Sequence, residues 1–327
     1  MTDFRILVIR LSSMGDVIHA LPAAASLKHS FPRSSLAWIV RPQWAPLLEN
    51  NPFIDRVVPV ERNPGDTLAV LRQMRREAFD LVVDFQGLVQ SAVIAGLVRS
   101  PIKVGLHRSQ ARESLASLFY SNSVLTRSSH RVDRNLELAA AAGAASLLHV
   151  FPLPPGQPEE DLPEGPFVLA SPAAGWGAKQ WPAEYYTELA RRLDLPLVVN
   201  GPLAAAGMLS RIKGARVHVS GIAGLIDATR RAAAVIGVDS GPLHLAAALA
   251  KPGVAIYGPT DPAIHGPYGG SIRVLRATHA ITNYKRLSME DESMRAISPS
   301  TVVEALEAVL EAARRSPARY DAAGSPA

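Results

Sequence analysis

Short, largely apolar runs recur along the chain, separated by longer mixed stretches. In the first half they fall at 5–10 (RILVIR), 35–40, 56–60, 81–86 (LVVDFQ) and 103–106. A strand with one solvated face alternates apolar and polar residues, whereas a parallel strand covered on both faces reads as a continuous apolar run. The pattern therefore predicts buried parallel strands, with helices at 17–30, 67–77, 88–97 and 132–142. Residues 151–166 (FPLPPGQPEEDLPEGP) interrupt it with prolines and acidic residues that cannot continue a helix, which marks an interdomain linker.

The pattern then restarts. Strands are predicted at 167–171, 195–200, 216–219, 234–238, 253–257 and 272–276, and helices at 183–193, 225–232, 242–250 and 298–315. Two successive β-α series predict an α/β protein of two doubly wound, Rossmann-like domains, spanning 1–155 and 156–315. The last helix is a candidate to pack back on the N-terminal domain, and 316–327 reads as a flexible tail. A single (β/α)₈ barrel is the rival, disfavoured by the central linker and the number of strands.

Composition narrows the picture. A hydrophobic content of 48% with 19% charged residues suits a folded protein of 327 residues, and the chain has no cysteine. Disulfides and thiolate metal sites are thereby excluded. The apolar run at the N-terminus is too short for a signal-peptide core, and no stretch reaches the roughly 20 apolar residues of a membrane helix. A cytoplasmic protein is expected. Residues 1–150 hold 17 Lys and Arg against 12 Asp and Glu, whereas 151–327 hold 17 of each, so the net charge of +5 belongs to the first half. This is either ordinary surface variation or the mark of a half that meets an anionic partner or a membrane surface. Nucleic acid is not expected, because no long basic run is present and aromatics are only 6%.

In open α/β sheets ligands bind beyond the carboxyl ends of strands, so the residues there are the candidates for chemistry. The first strand exits into Leu11-Ser-Ser-Met-Gly-Asp16. This is not G-x-G-x-x-G, which disfavours a nicotinamide enzyme. Asp16 reads either as the N-cap of the following helix or as a general base. In the second half, Ala174, Gly175 and Lys179 lie in a small-residue loop that could approach a phosphate, or simply be a solvated loop. Asp239-Ser240-Gly241-Pro242-Leu243-His244 follows a buried strand and opens a helix, a natural diphosphate seat; His244 by itself could equally be structural. Tyr257–Pro262 (YGPTDP) is a turn expected to wall the same site. No metal-binding spacing is present, Glu290-Asp291-Glu292 reads as a solvated loop, and there is no G-x-S-x-G nucleophile turn.

At these residues the chain resembles the ADP-heptose:lipopolysaccharide heptosyltransferases of glycosyltransferase family 9. The matching strings are LSSMGD (11–16), DFQGL (84–88), ARESLASLFY (111–120), KQWP (179–182), VDSGPLHL (238–245) and YGPTDP (257–262). The third is most similar to heptosyltransferase I. The resemblance implies a GT-B fold, two Rossmann-like domains facing a central cleft, with an acceptor-binding N-terminal and a nucleotide-sugar-binding C-terminal domain. It implies inverting, metal-independent transfer of L-glycero-D-manno-heptose from ADP-heptose to the Kdo of Kdo-lipid A, with no cofactor. Asp16 would be the catalytic base. Ala174, Gly175, Lys179, Asp239, Ser240, Gly241 and His244 would bind the donor. Ser13, Gly15, Arg62, Gln86, Arg108 and Arg112 would bind the anionic, lipid-linked acceptor. The enzyme would be cytoplasmic, peripheral on the cytoplasmic face of the inner membrane. Addition of the second heptose, another acceptor, a nucleotide-sugar epimerase and a non-catalytic binder are the alternatives. Departures from the family pattern are Ala174 and Gly175 where threonines are common, Ala205 where an acidic residue is usual, and a less basic 61–67 segment.

Overall fold

The apolar runs do form strands, buried along nearly their whole length in the centre of each sheet and only in part at its edges, each joined to the next by a crossover. In the computed structural model, which describes residues 4–315, the first series runs β1 (Arg5–Ile9), α1 (Met14–Ser30), β2 (Ser35–Val40), β3 (Arg56–Pro59), α2 (Pro64–Arg76), β4 (Leu81–Asp84), α3 (Val89–Leu97), β5 (Ile102–Leu106), β6 (Asn122–Val124) and α4 (Arg131–Ala141). All pairings are parallel and the strand order is β3-β2-β1-β4-β5-β6. Leu7, Ile9, Ile39, Val82 and Ile94 centre its core.

The second series is β7 (Val168–Ser171), α5 (Ala183–Arg192), β8 (Leu197–Gly201), α6 (Ala206–Leu209), β9 (Arg216–Val219), α7 (Ile222–Arg231), β10 (Ala234–Val238), α8 (Gly241–Ala248), β11 (Gly253–Tyr257), α9 (Pro262–His265), β12 (Ile272–Arg276), α10 (Glu292–Arg295) and α11 (Pro299–Arg315). Its order, β12-β11-β10-β7-β8-β9, repeats that of the first sheet. Val168, Trp181, Tyr186, Ile236 and Val254 form its core, joined by Val302, Ala305 and Leu306 of α11. The last helix therefore packs on α5 and the β11–β12 side of this second sheet.

The chain divides into Met1–Pro154 and Pro155–Ala327, a break inside the proline-rich segment. The tail expected at 316–327 lies outside the described residues. No helix among the described residues is long and apolar enough to cross a membrane.

Three local expectations need correction. Helix α1 begins at Met14 rather than at residue 17, because Ser13 takes the extended N-cap conformation. Strand β4 stops at Asp84, two residues early: the Asp84 carboxylate accepts the N–H of Gln86 (2.8 Å) and turns the chain out of the sheet. The edge strand β6, three residues of Asn-Ser-Val, is too short and polar to stand out in the sequence.

In each unit the strand order reverses beside the first strand, between β1 and β4 and between β7 and β10. At such a switch point the two following loops diverge to opposite faces and leave a crevice at the carboxyl edge. The candidates after β1, β4, β7 and β10 sit there, whereas Arg62 follows β3 and Arg108 and Arg112 follow β5.

Candidate active site

In the first unit the loop from β1 ends at Ser13, the N-cap of α1, and Gly15 and Asp16 lie in the first turn of that helix; the Ser12–Ser13 peptide bond is cis. Asp16 is not the N-cap. It lies three residues after Ser13, and its Oδ2 accepts from the Ser13 backbone N–H and hydroxyl, both at 3.0 Å. Its Oδ1 pairs with the Arg10 guanidinium, and 24% of the Asp16 side chain stays accessible. Gly15 is buried beneath the loop.

Burial by itself would raise the Asp16 pKa, but it is outweighed by the charge of Arg10, the Ser13 N–H and the charges of His19 and Arg131. The carboxyl is held well below the usual range. Burial lowers the pKa of Arg131, as do the like charges of Arg10, Arg134 and Arg112, while Asp16 raises it. The Nε atoms of Arg10 and Arg131 are buried without a hydrogen-bond partner. One carboxylate thus faces more positive charge than it neutralises.

The DFQGL turn supports this arrangement. Phe85 O accepts from Arg10, and the Gln86 Oε1 accepts from the N–H groups of Leu11 (2.9 Å) and Ser12 (3.1 Å). Asp84, fully buried, also accepts from Ser91 Oγ (2.8 Å) and the Tyr120 hydroxyl (2.7 Å). Burial raises the Asp84 pKa, although these bonds pull it down. Tyr120 reaches Asp84 because Gly105 has no side chain: a Cβ there would lie 2.3 Å from the tyrosine ring. Gly87 O accepts from Glu113 N at 3.1 Å, which ties the 111–114 segment to the same turn.

Arg112, Arg108 and Arg62 are exposed on loops after β5 and β3. The Glu113 carboxylate accepts from Val89 N at 2.6 Å, and no ion pair with Arg112 forms among the described residues. Arg62 lies close enough to Arg41 to lower its pKa, after the larger effect of burial.

In the second unit the loop after β7 is anchored by Trp181, 2% exposed, whose Nε1 donates to Ile297 O at 2.9 Å. This places Lys179 against the loop after β10. Its Nζ lies 2.9 Å from Asp239 Oδ2 and 4.1 Å from the centre of the Trp176 ring, while His244 Nε2 lies 3.6 Å from Asp239 Oδ1. Burial would raise the Asp239 pKa, but His244 and Lys179 together hold it well below the usual range. Lys179 and His244 are therefore engaged by one carboxylate.

Ser240 is the N-cap of α8, and Gly241 and Pro242 open the helix. The Ser240 Oγ and, after β11, the Thr260 Oγ1 are buried without a protein partner among the described residues. These orphan hydroxyls at a helix N-terminus suit oxygen-rich ligand groups. Ala174 is half-buried and Gly175 is open. The glycine that the loop requires is Gly177, where a Cβ would meet Ser288 O at 1.8 Å. The segment around Glu290-Asp291-Glu292 is structured: Asp291 caps α10 through Ser293 N (3.0 Å), and Glu290 pairs with Arg295.

Arg10, His19 and Arg131 were not singled out from the sequence. Arg10 carried one signal, a cation ending a buried strand. Arg131 carried none, because its place depends on α4 docking on α1, where Asn135 Nδ2 donates to His19 O at 2.9 Å.

Two doubly wound units of identical strand order, each with charged groups gathered at its switch point, match the GT-B fold of solved heptosyltransferases. The chain matches glycosyltransferase family 9 (heptosyltransferase) over residues 67–295 and belongs to that family. Lipopolysaccharide heptosyltransferase 1 of Pseudomonas aeruginosa is 33% identical over 297 residues, covering 82% of each chain. That of Escherichia coli K12 is 32% identical over 302 residues, covering 84% of this chain and 93% of the relative. Lipopolysaccharide heptosyltransferase 2 of Salmonella typhimurium is 26% identical over 350 residues, 94% of this chain and 98% of that protein. A structure of E. coli heptosyltransferase WaaC with ADP-2-deoxy-2-fluoro heptose matches with a TM-score of 0.76 at 27% identity, covering 93% of this chain and 99% of that one.

Proposed function

We propose that this enzyme transfers L-glycero-D-manno-heptose from ADP-heptose to the Kdo of Kdo-lipid A, with inversion and without a metal ion, at the cytoplasmic surface of the inner membrane. The observation that carries the reading is the Asp16 carboxylate among Arg10, Arg131 and His19. It is a carboxylate of lowered pKa among cationic side chains, which suits a hydroxyl-bearing acceptor that is itself an acid. Greater identity to the type 1 than to the type 2 relative favours the first heptose.

In this mechanism Asp16 takes the proton of the acceptor hydroxyl as its oxygen bonds to the anomeric carbon. The bond from that carbon to the diphosphate breaks, and ADP leaves with the electron pair. A carboxylate of low pKa is a weak base. Its basicity rises if an acceptor anion draws Arg10 and Arg131 toward itself. Lys179, the α8 N-terminus and the hydroxyls of Ser240 and Thr260 would hold the donor phosphates and offset the charge on the departing ADP. Arg112, Arg108 and Arg62 would bind acceptor carboxylate or phosphate groups.

The test is incubation with ADP-heptose and a panel of truncated core acceptors, with products read by mass and the anomeric centre by NMR. One heptose should be added to Kdo-lipid A with inverted configuration, and ADP should appear only when that acceptor is present. Product formed only on an acceptor already bearing one heptose would assign the second addition. Turnover of donor alone would indicate an epimerase or hydrolase.

A further inference from the structure

Two consecutive residues of the turn after β4 hold Arg10 and the backbone that leads into Ser13, and Arg10 and Ser13 both bind the Asp16 carboxylate. Phe85 O accepts from the Arg10 guanidinium, which pairs with Oδ1. Gln86 Oε1 accepts from Leu11 N and Ser12 N, the residues leading into Ser13, whose N–H and hydroxyl bind Oδ2. Gln86 is 5% exposed, and its oxygen is identified by the two N–H donors it meets. The turn itself is held by Asp84, which accepts from Gln86 N, Ser91 Oγ and Tyr120 Oη.

From this geometry we infer that Gln86 is a positioning residue for transfer. Its amide oxygen sets the β1–α1 loop, and thereby the place and the pairing of Asp16, across the switch point between β1 and β4. The inference rests on the reading of Asp16 as base. It differs from a role for Gln86 in binding the acceptor, because the amide oxygen is spent on the protein's own backbone. A base displaced by about 1 Å can lose on the order of 10²-fold in rate.

Three variants test it, assayed with ADP-heptose and Kdo-lipid A, with ADP binding by calorimetry as the check on fold and donor site. Gln86→Met keeps the length but removes the acceptor atom. Gln86→Glu keeps an oxygen where the two N–H groups point. Asp16→Asn tests the base. Gln86→Met should lower kcat by about 10- to 100-fold while the acceptor KM and ADP affinity stay near native, and Gln86→Glu should restore most of kcat.

The acid limb of the pH–rate profile gives a second readout. The charged groups facing Asp16 are Arg10 after β1, His19 on α1 and Arg131 on α4, with Arg112 and Arg134 acting on Arg131. Loosening the loop weakens the Arg10 and Ser13 contacts, so the limb should move to higher pH in Gln86→Met. A side chain that only fills space would leave it in place. If Gln86→Met does not fold, Gln86→Asn, which withdraws the oxygen by one methylene, should show the same loss and shift.

Native kcat in Gln86→Met, a loss confined to the acceptor KM, or equal loss in the Met and Glu variants would overturn the inference. If Asp16→Asn remains active, the base reading fails and this inference falls with it. If Asp16→Asn is inactive while Gln86→Met is not, the positioning role alone is refuted.

Discussion

The Lys179 ammonium lies 2.9 Å from the Asp239 carboxylate, joining the loops after β7 and β10 across the switch point of the second sheet. Both side chains are about nine-tenths buried. Removing one partner of such a pair strands the other charge and costs about 3–5 kcal/mol. Lys179→Met should therefore lose stability of that order in denaturant titrations as well as ADP affinity. The double variant Lys179→Met/Asp239→Asn should lose less than the sum of the two single changes. Because folding depresses the Asp239 pKa, its stabilisation is present above the ordinary carboxylate value of about 3.9 and is lost as pH falls through the folded-state pKa. A pH series of unfolding free energies that shows no such loss would contradict the pairing.

Asp16→Ala should lower kcat by about 10²–10⁴-fold and leave ADP affinity intact. Loss of its bond to the Ser13 N–H should cost about 1 kcal/mol of stability, and loss of its pair with the buried Arg10 should add to that. A variant with normal turnover and that stability loss would reduce Asp16 to a partner of the helix start.

As the proposed base Asp16 would act when ionised, and its pKa is lowered, so protonation of this residue should not limit kcat/KM down to about pH 4. Arg131→Ala removes one of the charges that lower it. The Asp16 pKa then rises toward its ordinary value, and the acid limb should move up in pH. An unmoved limb would mean that Arg131 does not act on Asp16.

Arg112→Ala should raise the acceptor KM and leave ADP binding unchanged, because its guanidinium pairs with no carboxylate among the described residues and can meet one on the acceptor. Added salt should weaken acceptor use in the native enzyme, and less so in the variant. A fall in ADP affinity instead would place Arg112 with the donor.

Transfer should continue in EDTA if, as proposed, Lys179 and the α8 N-terminus offset the diphosphate charge. Activity lost on chelation and restored by Mg²⁺ or Mn²⁺ would assign that charge to a metal ion.

Much of this protein was determined locally by its sequence. Continuous apolar runs such as RILVIR specify strands covered on both faces. Proline density at 151–166 breaks the chain in two, and Asp239-Ser-Gly-Pro opens a helix directly after a buried strand. These follow from periodicity and backbone chemistry within a few residues. What only the tertiary structure decided is which charge meets which. Gln86 reaches Leu11 and Ser12 from 75 and 74 residues away, and Lys179 reaches Asp239 across 60. Those meetings exist because β4 lies beside β1 and β10 beside β7. Arg131 joins Asp16 only because α4 docks on α1 through Asn135 and His19. Strand order and helix docking are properties of the packed core, and a buried charge takes its partner and its pKa from whatever that packing brings near.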